Sequence, residues 1–284
     1  MSAEQLLKEG RLKESLDELQ RQVRSDSANP KHRIFLFQML AVRGEWTRAL
    51  TQLDVAAEMD PMALAMAQMY REAIKCETLR RDVFAGTRSP LIFGEPPGWI
   101  GLLLESLRLL AGGELAASQK LRDQAFEEAE MTSGTLDGEP FEWIADADPR
   151  LGPVLEAIIN GKYYWLPWQN LQKVNIEQPE DLRDFVWMPA NFRFTNGGET
   201  VGLIPTRYPG SESSDDEAVC LARKTIWEDR GGDLFLGLGQ RMFATDTQEH
   251  PLMDVREIIL ETADLAAGLA DDPADDVTAE DHDG

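Results

Sequence analysis

The sequence predicts an α+β multidomain protein: a TPR-like (tetratricopeptide-like) helical array over residues 1–135, a mostly antiparallel β-rich domain over 136–262, and a disordered acidic tail over 263–284. Three observations predict it. A glycine-led block recurs 34 positions apart, at Gly10 and Gly44, which is the tetratricopeptide period. Helical periodicity stops near Met131 and gives way to short aromatic and β-branched runs separated by turn residues. The last segment, from Asp264 to Gly284, holds eight acidic residues and no Lys or Arg, too little apolar surface to offset the entropy of ordering it.

The front half reads as helices in order. Leu12, Leu16, Leu19 and Val23 recur at spacings of three and four, as do Trp46, Leu50, Leu53 and Ala57, so each run presents one apolar stripe. Pro30 opens the helix between them, with Ile34, Phe37 and Leu40 among its apolar positions. Gly44 suits the turn between two helices, and Ala49 and Ala56 let helices approach closely. Asp60-Pro61 supplies a cap and a first-turn proline for a helix running to about Phe84. The repeat then decays, since Thr78 stands where the next glycine would fall. After a Pro/Gly-rich break from Ser89 to Gly98 come a helix from Trp99 to Leu110 and another from Gly113-Glu114-Leu115 to about Glu130. Stacked helix pairs of this kind leave a concave surface suited to a peptide, and alignment to the repeat turns Gln38, Gln68 and Glu72 toward it.

Beyond the polar link Met131 to Gly138, the candidate strands are Phe141 to Ala145, Tyr163 to Trp168, Val174 to Glu177, Phe185 to Met188, Thr200 to Ile204, Val219 to Trp227, Gln240 to Ala244 and Val255 to Leu260. Asn196-Gly197 marks a hairpin. One helix is expected among the strands, from Leu151 to Ile159, capped by Asp148 before Pro149 and ended by Asn160-Gly161.

A formal charge of −23 opposes nucleic-acid binding, which needs clustered cations, and opposes an anionic membrane surface for the same reason. Cys76 and Cys220 are far apart and have no neighbouring histidine, so neither a disulfide framework nor a zinc site is indicated. The first residues lack a basic segment leading into an apolar one, and the most apolar run, Trp99 to Leu110, is too short to span a bilayer. A cytoplasmic location is the expectation.

No catalytic, cofactor-binding or metal-binding residue is assigned. The three histidines, His32, His250 and His282, assemble no nucleophile–base pattern, and no G-x-x-x-x-G-K occurs. Gly237-Leu238-Gly239-Gln240 resembles a nucleotide loop only superficially, without a lysine or a following helix. Asp146 and Asp148 could flank a divalent cation, but the capping role of Asp148 is the preferred reading. What stands out is a density of aromatics and arginines in an acidic background. Most are core; Arg150, Trp165, Arg207, Tyr208 and Arg241 are the candidates for a recognition surface.

Four blocks taken together resemble a family. They are Phe141-Glu-Trp143-Ile-Ala-Asp146-Ala-Asp148-Pro-Arg150-Leu-Gly-Pro-Val-Leu-Glu156, then Asn160-Gly-Lys-Tyr-Tyr-Trp165, then Leu203-Ile-Pro-Thr-Arg207-Tyr208-Pro-Gly210, and Gly237-Leu-Gly-Gln240-Arg241-Met-Phe-Ala-Thr245-Asp246. In that order they look like the ImpE family, also called TagJ, encoded with type VI secretion systems. The resemblance implies a non-catalytic accessory component that binds a helix of the small contractile-sheath subunit and is linked to sheath disassembly by the ClpV-type ATPase. It extends over nearly the whole chain except the acidic tail. Two other readings compete. One is an enzyme or small-anion binder with a site around Arg150, Arg207 and Arg241; the other is a chaperone that holds secreted effectors.

Overall fold

Residues 1–262 are described by a computed structural model; the acidic tail expected over 263–284 lies outside them. Seven helices come first: α1 (Ala3–Lys8), α2 (Leu12–Ser25), α3 (Pro30–Val42), α4 (Trp46–Met59), α5 (Leu64–Phe84), α6 (Gly98–Ala111) and α7 (Leu115–Glu128). Their ends obey local chemistry. The Asn29 side chain accepts from the Lys31 amide ahead of Pro30, and Asp60 accepts from the Met62 amide at a single 3-10 turn that leads into α5. Gly10, Gly44 and Gly113 close the α1–α2, α3–α4 and α6–α7 connections at positive φ, a conformation cheap for glycine alone.

A nine-stranded sheet comes next. Its strands are β1 (Leu91–Ile92), β2 (Gly134–Leu136), β3 (Glu139–Phe141), β5 (Val154–Ile159), β6 (Lys162–Pro167), β7 (Leu171–Ile176), β8 (Trp187–Phe194), β9 (Glu199–Pro205) and β14 (Glu257–Leu260). Their order is β1-β6-β5-β9-β8-β7-β14-β2-β3. Every pairing is antiparallel except β1 with β6, where Leu91 faces Tyr164. The Pro/Gly break of the helical half thus lends the sheet an edge strand. β4 (Ile144–Asp146), β12 (Met242–Thr245) and β13 (Glu249–Pro251) form a small second sheet, while β10 (Thr225–Asp229) and β11 (Phe235–Gly239) form a hairpin. The architecture is therefore α+β, with helices in the front half and a mostly antiparallel sheet behind.

Two apolar layers lie on opposite faces of the large sheet. The first joins the helices to Val154, Ile158, Tyr163, Trp165, Trp187 and Leu203, with Trp187 packed between Trp46 and Tyr70. The second gathers Leu155, Ala157, Ile159, Leu166, Phe192 and Ile204 with Trp168 and Phe243.

That double burial explains the main departure from expectation. No helix spans Leu151 to Ile159; residues 154–159 are β5, buried at all six positions. A strand covered on both faces reads as an unbroken apolar run, which periodicity cannot distinguish from a buried helix. Asn160 and Gly161, both at positive φ, turn β5 into β6 instead of ending a helix. Asp148 caps no helix either: its carboxylate binds the Arg150 amide at 2.9 Å and the Arg150 guanidinium within a turn. The strand expected from Val219 is split, because Asp216 caps a one-turn helix α8 (Glu217–Cys220) before β10. Likewise Asp181 caps a 3-10 turn over Leu182–Phe185, so β8 starts at Trp187. The hairpin at Asn196-Gly197 is present, between β8 and β9.

Candidate functional site

The motif residues Asp146, Asp148, Arg150, Glu156, Tyr163, Trp165, Arg207, Tyr208 and Arg241 converge between α5 and the sheet. Glu156 on β5 points toward the helices. Arg80 of α5 meets it through Nε at 2.6 Å and through Nη2 at 3.0 Å, and Nη2 also donates to the Arg207 carbonyl at 2.8 Å. The Tyr163 hydroxyl donates to the same carboxylate and accepts from Trp165 Nε1 at 2.8 Å. Arg241 bridges Glu156 and Asp146 with its two terminal nitrogens, and its Nε donates to the Pro205 carbonyl at 2.9 Å. Asp146 accepts a further bond from the Tyr208 hydroxyl at 3.0 Å. Asp148 pairs with Arg150 and accepts from the Gly237 amide at 2.8 Å. Glu77 accepts from Trp187 Nε1 at 2.9 Å beside Arg80.

The charges nearly balance inside a buried layer, and burial together with pairing sets their protonation. Burial raises Asp146 to about 7 in spite of Arg241. For Glu156 burial acts in the same direction, but Arg80 and Arg241 outweigh it and hold the group at about 2. Burial also raises Glu77 against the pull of Arg80. Arg207 has carbonyls rather than a carboxylate: Nη1 donates to Val42 at 2.6 Å and Cys220 at 2.5 Å. It thereby closes the C-terminal end of α3, and burial pulls its pKa down.

A pH dependence results. Between the unfolded value of about 3.9 and the folded value of about 7, native Asp146 holds a proton that the unfolded chain has released. Its contribution to stability is therefore complete below about pH 4 and lost as pH rises through 7. Glu156 acts in the opposite direction, contributing above about pH 4.3 and failing as pH falls toward 2. Asp146→Asn is expected to flatten the decline of unfolding free energy between pH 4.5 and 8 in urea titrations. Parallel curves for the two proteins would refute the assignment.

These placements decide which sequence candidates reach solvent. Trp165, Tyr208 and Arg241 are at most 1% exposed and Arg207 is 4% exposed, so none offers a surface to a partner in this conformation. Arg150 is almost as buried, its guanidinium spent on Asp148 and the Gly237 carbonyl. Of the three arginines proposed to line an anion site, Arg207 and Arg241 direct their donors into the protein, whereas Arg150 also lines a cavity of about 610 Å³ shared with Asp216 and Glu228. Gln38 is buried as well. Gln68 is exposed, and Glu72 is half-buried at the edge of the same face of α5, paired with Lys75 at 2.8 Å. That face carries Leu64, Gln68, Met69 and Glu72 at helical spacing, with Met62 beside it; Met62, Leu64 and Met69 are unusually exposed for apolar side chains. Glu77 and Arg80 escaped the sequence reading, although both fall on the buried stripe of α5 with Tyr70, Ala73 and Ile74. Charges at core positions of an amphipathic helix were the available signal. Among the described residues, no group of three or more His, Cys, Asp or Glu is arranged to hold a metal ion.

A family model described as ImpE protein matches residues 138–259. The "Type VI secretion system accessory component TagJ" of Pseudomonas aeruginosa is 52% identical over 264 residues, covering 93% of this chain and 92% of that protein. The chain belongs to the ImpE family. A crystal structure of a Vibrio parahaemolyticus protein, 23% identical, superimposes with a TM-score of 0.83 over 91% of this chain and 97% of the other, and so shares its fold. The four ImpE-type blocks are the ones that build the buried ionic layer, with Arg80 and Glu77 added from outside the matched segment. Among the described residues of this ImpE chain, no helix is long and apolar enough to cross a membrane.

Proposed function

We propose that this ImpE-family chain is a non-catalytic accessory component of a type VI secretion system, working in the cytoplasm. In this reading a TPR-like unit at 1–135 holds a helix of the small contractile-sheath subunit, and a β-rich unit at 136–262 braces it. A link to the ClpV-type ATPase, direct or through the sheath, completes the role. The Pseudomonas relative's name supports the accessory part, and the resemblance supports the sheath part. The observation that carries the binding mode is the exposed face of α5, where Met62, Leu64 and Met69 flank Gln68 and Glu72. Flexible methionines on an exposed helix suit the apolar stripe of another helix, which they can fit without a preformed pocket. The inward pairing of Arg207 and Arg241 takes two of the three donors from the anion-site alternative, and Arg150 already pairs with Asp148.

Co-purification with the small sheath subunit tests the proposal. The wild-type chain is expected to retain the subunit, and the double variant Leu64→Glu, Met69→Glu to lose roughly ten-fold or more of the affinity while folding normally. Equal retention by wild type and an unrelated acidic protein would sink the sheath assignment. Retention unchanged by the double variant would move the contact off α5.

A further inference from the structure

The small sheet has an open side. Its order is β13-β12-β4, which leaves β4 at an edge. Ala145 pairs with Ala244, and the Ala147 amide donates to the Met242 carbonyl at 3.0 Å. Bonded and non-bonded positions alternate along an antiparallel pair, so the backbone amide and carbonyl of Ile144 point away from β12 toward that edge. Farther along, the turn at 148–152 covers the same edge, where the Asp146 amide donates to the Gly152 carbonyl at 2.7 Å.

Side chains alternate in the same way. Ile144, Asp146 and Phe243 are buried on one face, whereas Trp143, Ala145, Ala147 and Ala244 are half-buried on the other. These small residues floor a cavity of about 410 Å³, walled by Phe126, Met131, Pro149 and Pro153. Gly152, at φ 50°, makes room for one wall, since a methyl group there would overlap the Phe126 ring. Met131 is 82% exposed and Phe126 37% exposed. No Lys or Arg lines the cavity among the described residues; its charged members are Glu130 on the rim and Asp146, which is spent on Arg241. Exposed Glu127, Glu128 and Glu142 stand next to Phe126, Ala129 and Trp143 in the chain.

We propose that this groove binds an extended segment of a partner polypeptide that carries one large apolar side chain flanked by Lys or Arg. The free β4 edge supplies an amide and a carbonyl for backbone pairing, which a helix would leave unmatched. The alanine floor leaves room for the apolar side chain against Trp143, Phe126 and Met131, and its burial there removes apolar surface from water. The rim is acidic throughout, so cations on either side of that residue complement it. A second copy of the chain is a poorer occupant, because two bodies of charge −23 repel. None of the α5 residues assigned to the sheath helix takes part.

Fluorescence anisotropy tests this with full-length protein and a labelled peptide, Lys-Val-Lys-Phe-Lys-Val-Lys, whose alternation puts the apolar residues on one face of a strand. Saturable binding that weakens with added salt is expected. Ala244→Arg fills the floor with a cation and is expected to weaken binding about ten-fold or more, and Glu130→Lys about three-fold. Glu130 is exposed, so that variant keeps the test decisive if Ala244→Arg fails to fold. Leu64→Glu with Met69→Glu should leave the affinity unchanged, which separates this groove from the contact proposed on α5. Any of four results would overturn the proposal: no saturation by about 1 mM protein; equal affinity for Val-Val-Phe-Lys-Lys-Lys-Lys, which would reduce the effect to charge; binding undiminished in both groove variants; or a dimer in sedimentation that the peptide dissociates, which would give the groove to a second copy.

Discussion

Arg241→Ala is expected to lower the free energy of unfolding by about 3–5 kcal/mol, enough to remove a large part of the stability of an ordinary domain. The arginine is fully buried and is the shared partner of Asp146 and Glu156, so its loss strands two carboxylates in an apolar layer. Neither has a full substitute. Arg80 still touches Glu156, but its geometry is already committed to that carboxylate and to the Arg207 carbonyl. Asp146 keeps Tyr208 and the Asp148 amide, neither of which carries charge. Arg241→Lys would retain the charge without the fork that spans two acids, and an intermediate loss is expected. Denaturant titration gives the values; a loss under about 1 kcal/mol for the alanine variant would mean that water enters and solvates both carboxylates.

Gly239→Ala is expected to cost roughly 3 kcal/mol or more, by a different route. Gly239 ends β11 at φ 93°, and a methyl group built there overlaps the carbonyl oxygen of Lys224 across the hairpin. Backbone offers no flexible end that could swing away. The strand cannot shift either, since the Gly239 amide donates to Ser211 Oγ at 2.8 Å and its carbonyl accepts from the Tyr208 amide at 3.0 Å. Gly231→Ala is the control: φ is also positive, at 84°, yet the added methyl meets nothing within 4 Å. Backbone strain of about 1–2 kcal/mol is all that this second change should cost. Equal melting temperatures for the two variants would show that crowding at Lys224 is relieved by movement of the hairpin.

Gly239 also shows how a local motif misleads. Gly237-Leu238-Gly239 looks like a loop made for phosphate, but both glycines sit in a strand where other groups come close: the ring of Tyr208 over Gly237 and the Lys224 carbonyl at Gly239. Absence of a side chain leaves the same mark in a sequence whichever neighbour requires it. The partner-site candidates divide in a similar way. Arg150, Arg207, Tyr208 and Arg241 attracted notice because arginine and aromatic residues are common in recognition surfaces, and the same chemistry suits a buried ionic layer. Only Gln68 of the groove candidates is fully on the open face of α5.

By itself the sequence determined the α+β class, the helices from Leu12 to Glu128 nearly to their ends, the Asn196-Gly197 hairpin and the family, because caps, turn residues and amphipathic periods act over a few neighbouring positions. Tertiary structure decided the rest. Whether Val154–Ile159 became helix or strand depended on covering both of its faces, and whether Arg150, Arg207 and Arg241 faced solvent depended on Glu156, Asp148 and the end of α3 arriving from distant parts of the chain. Burial and charge pairing are properties of what comes to lie alongside a residue, and no local pattern records them.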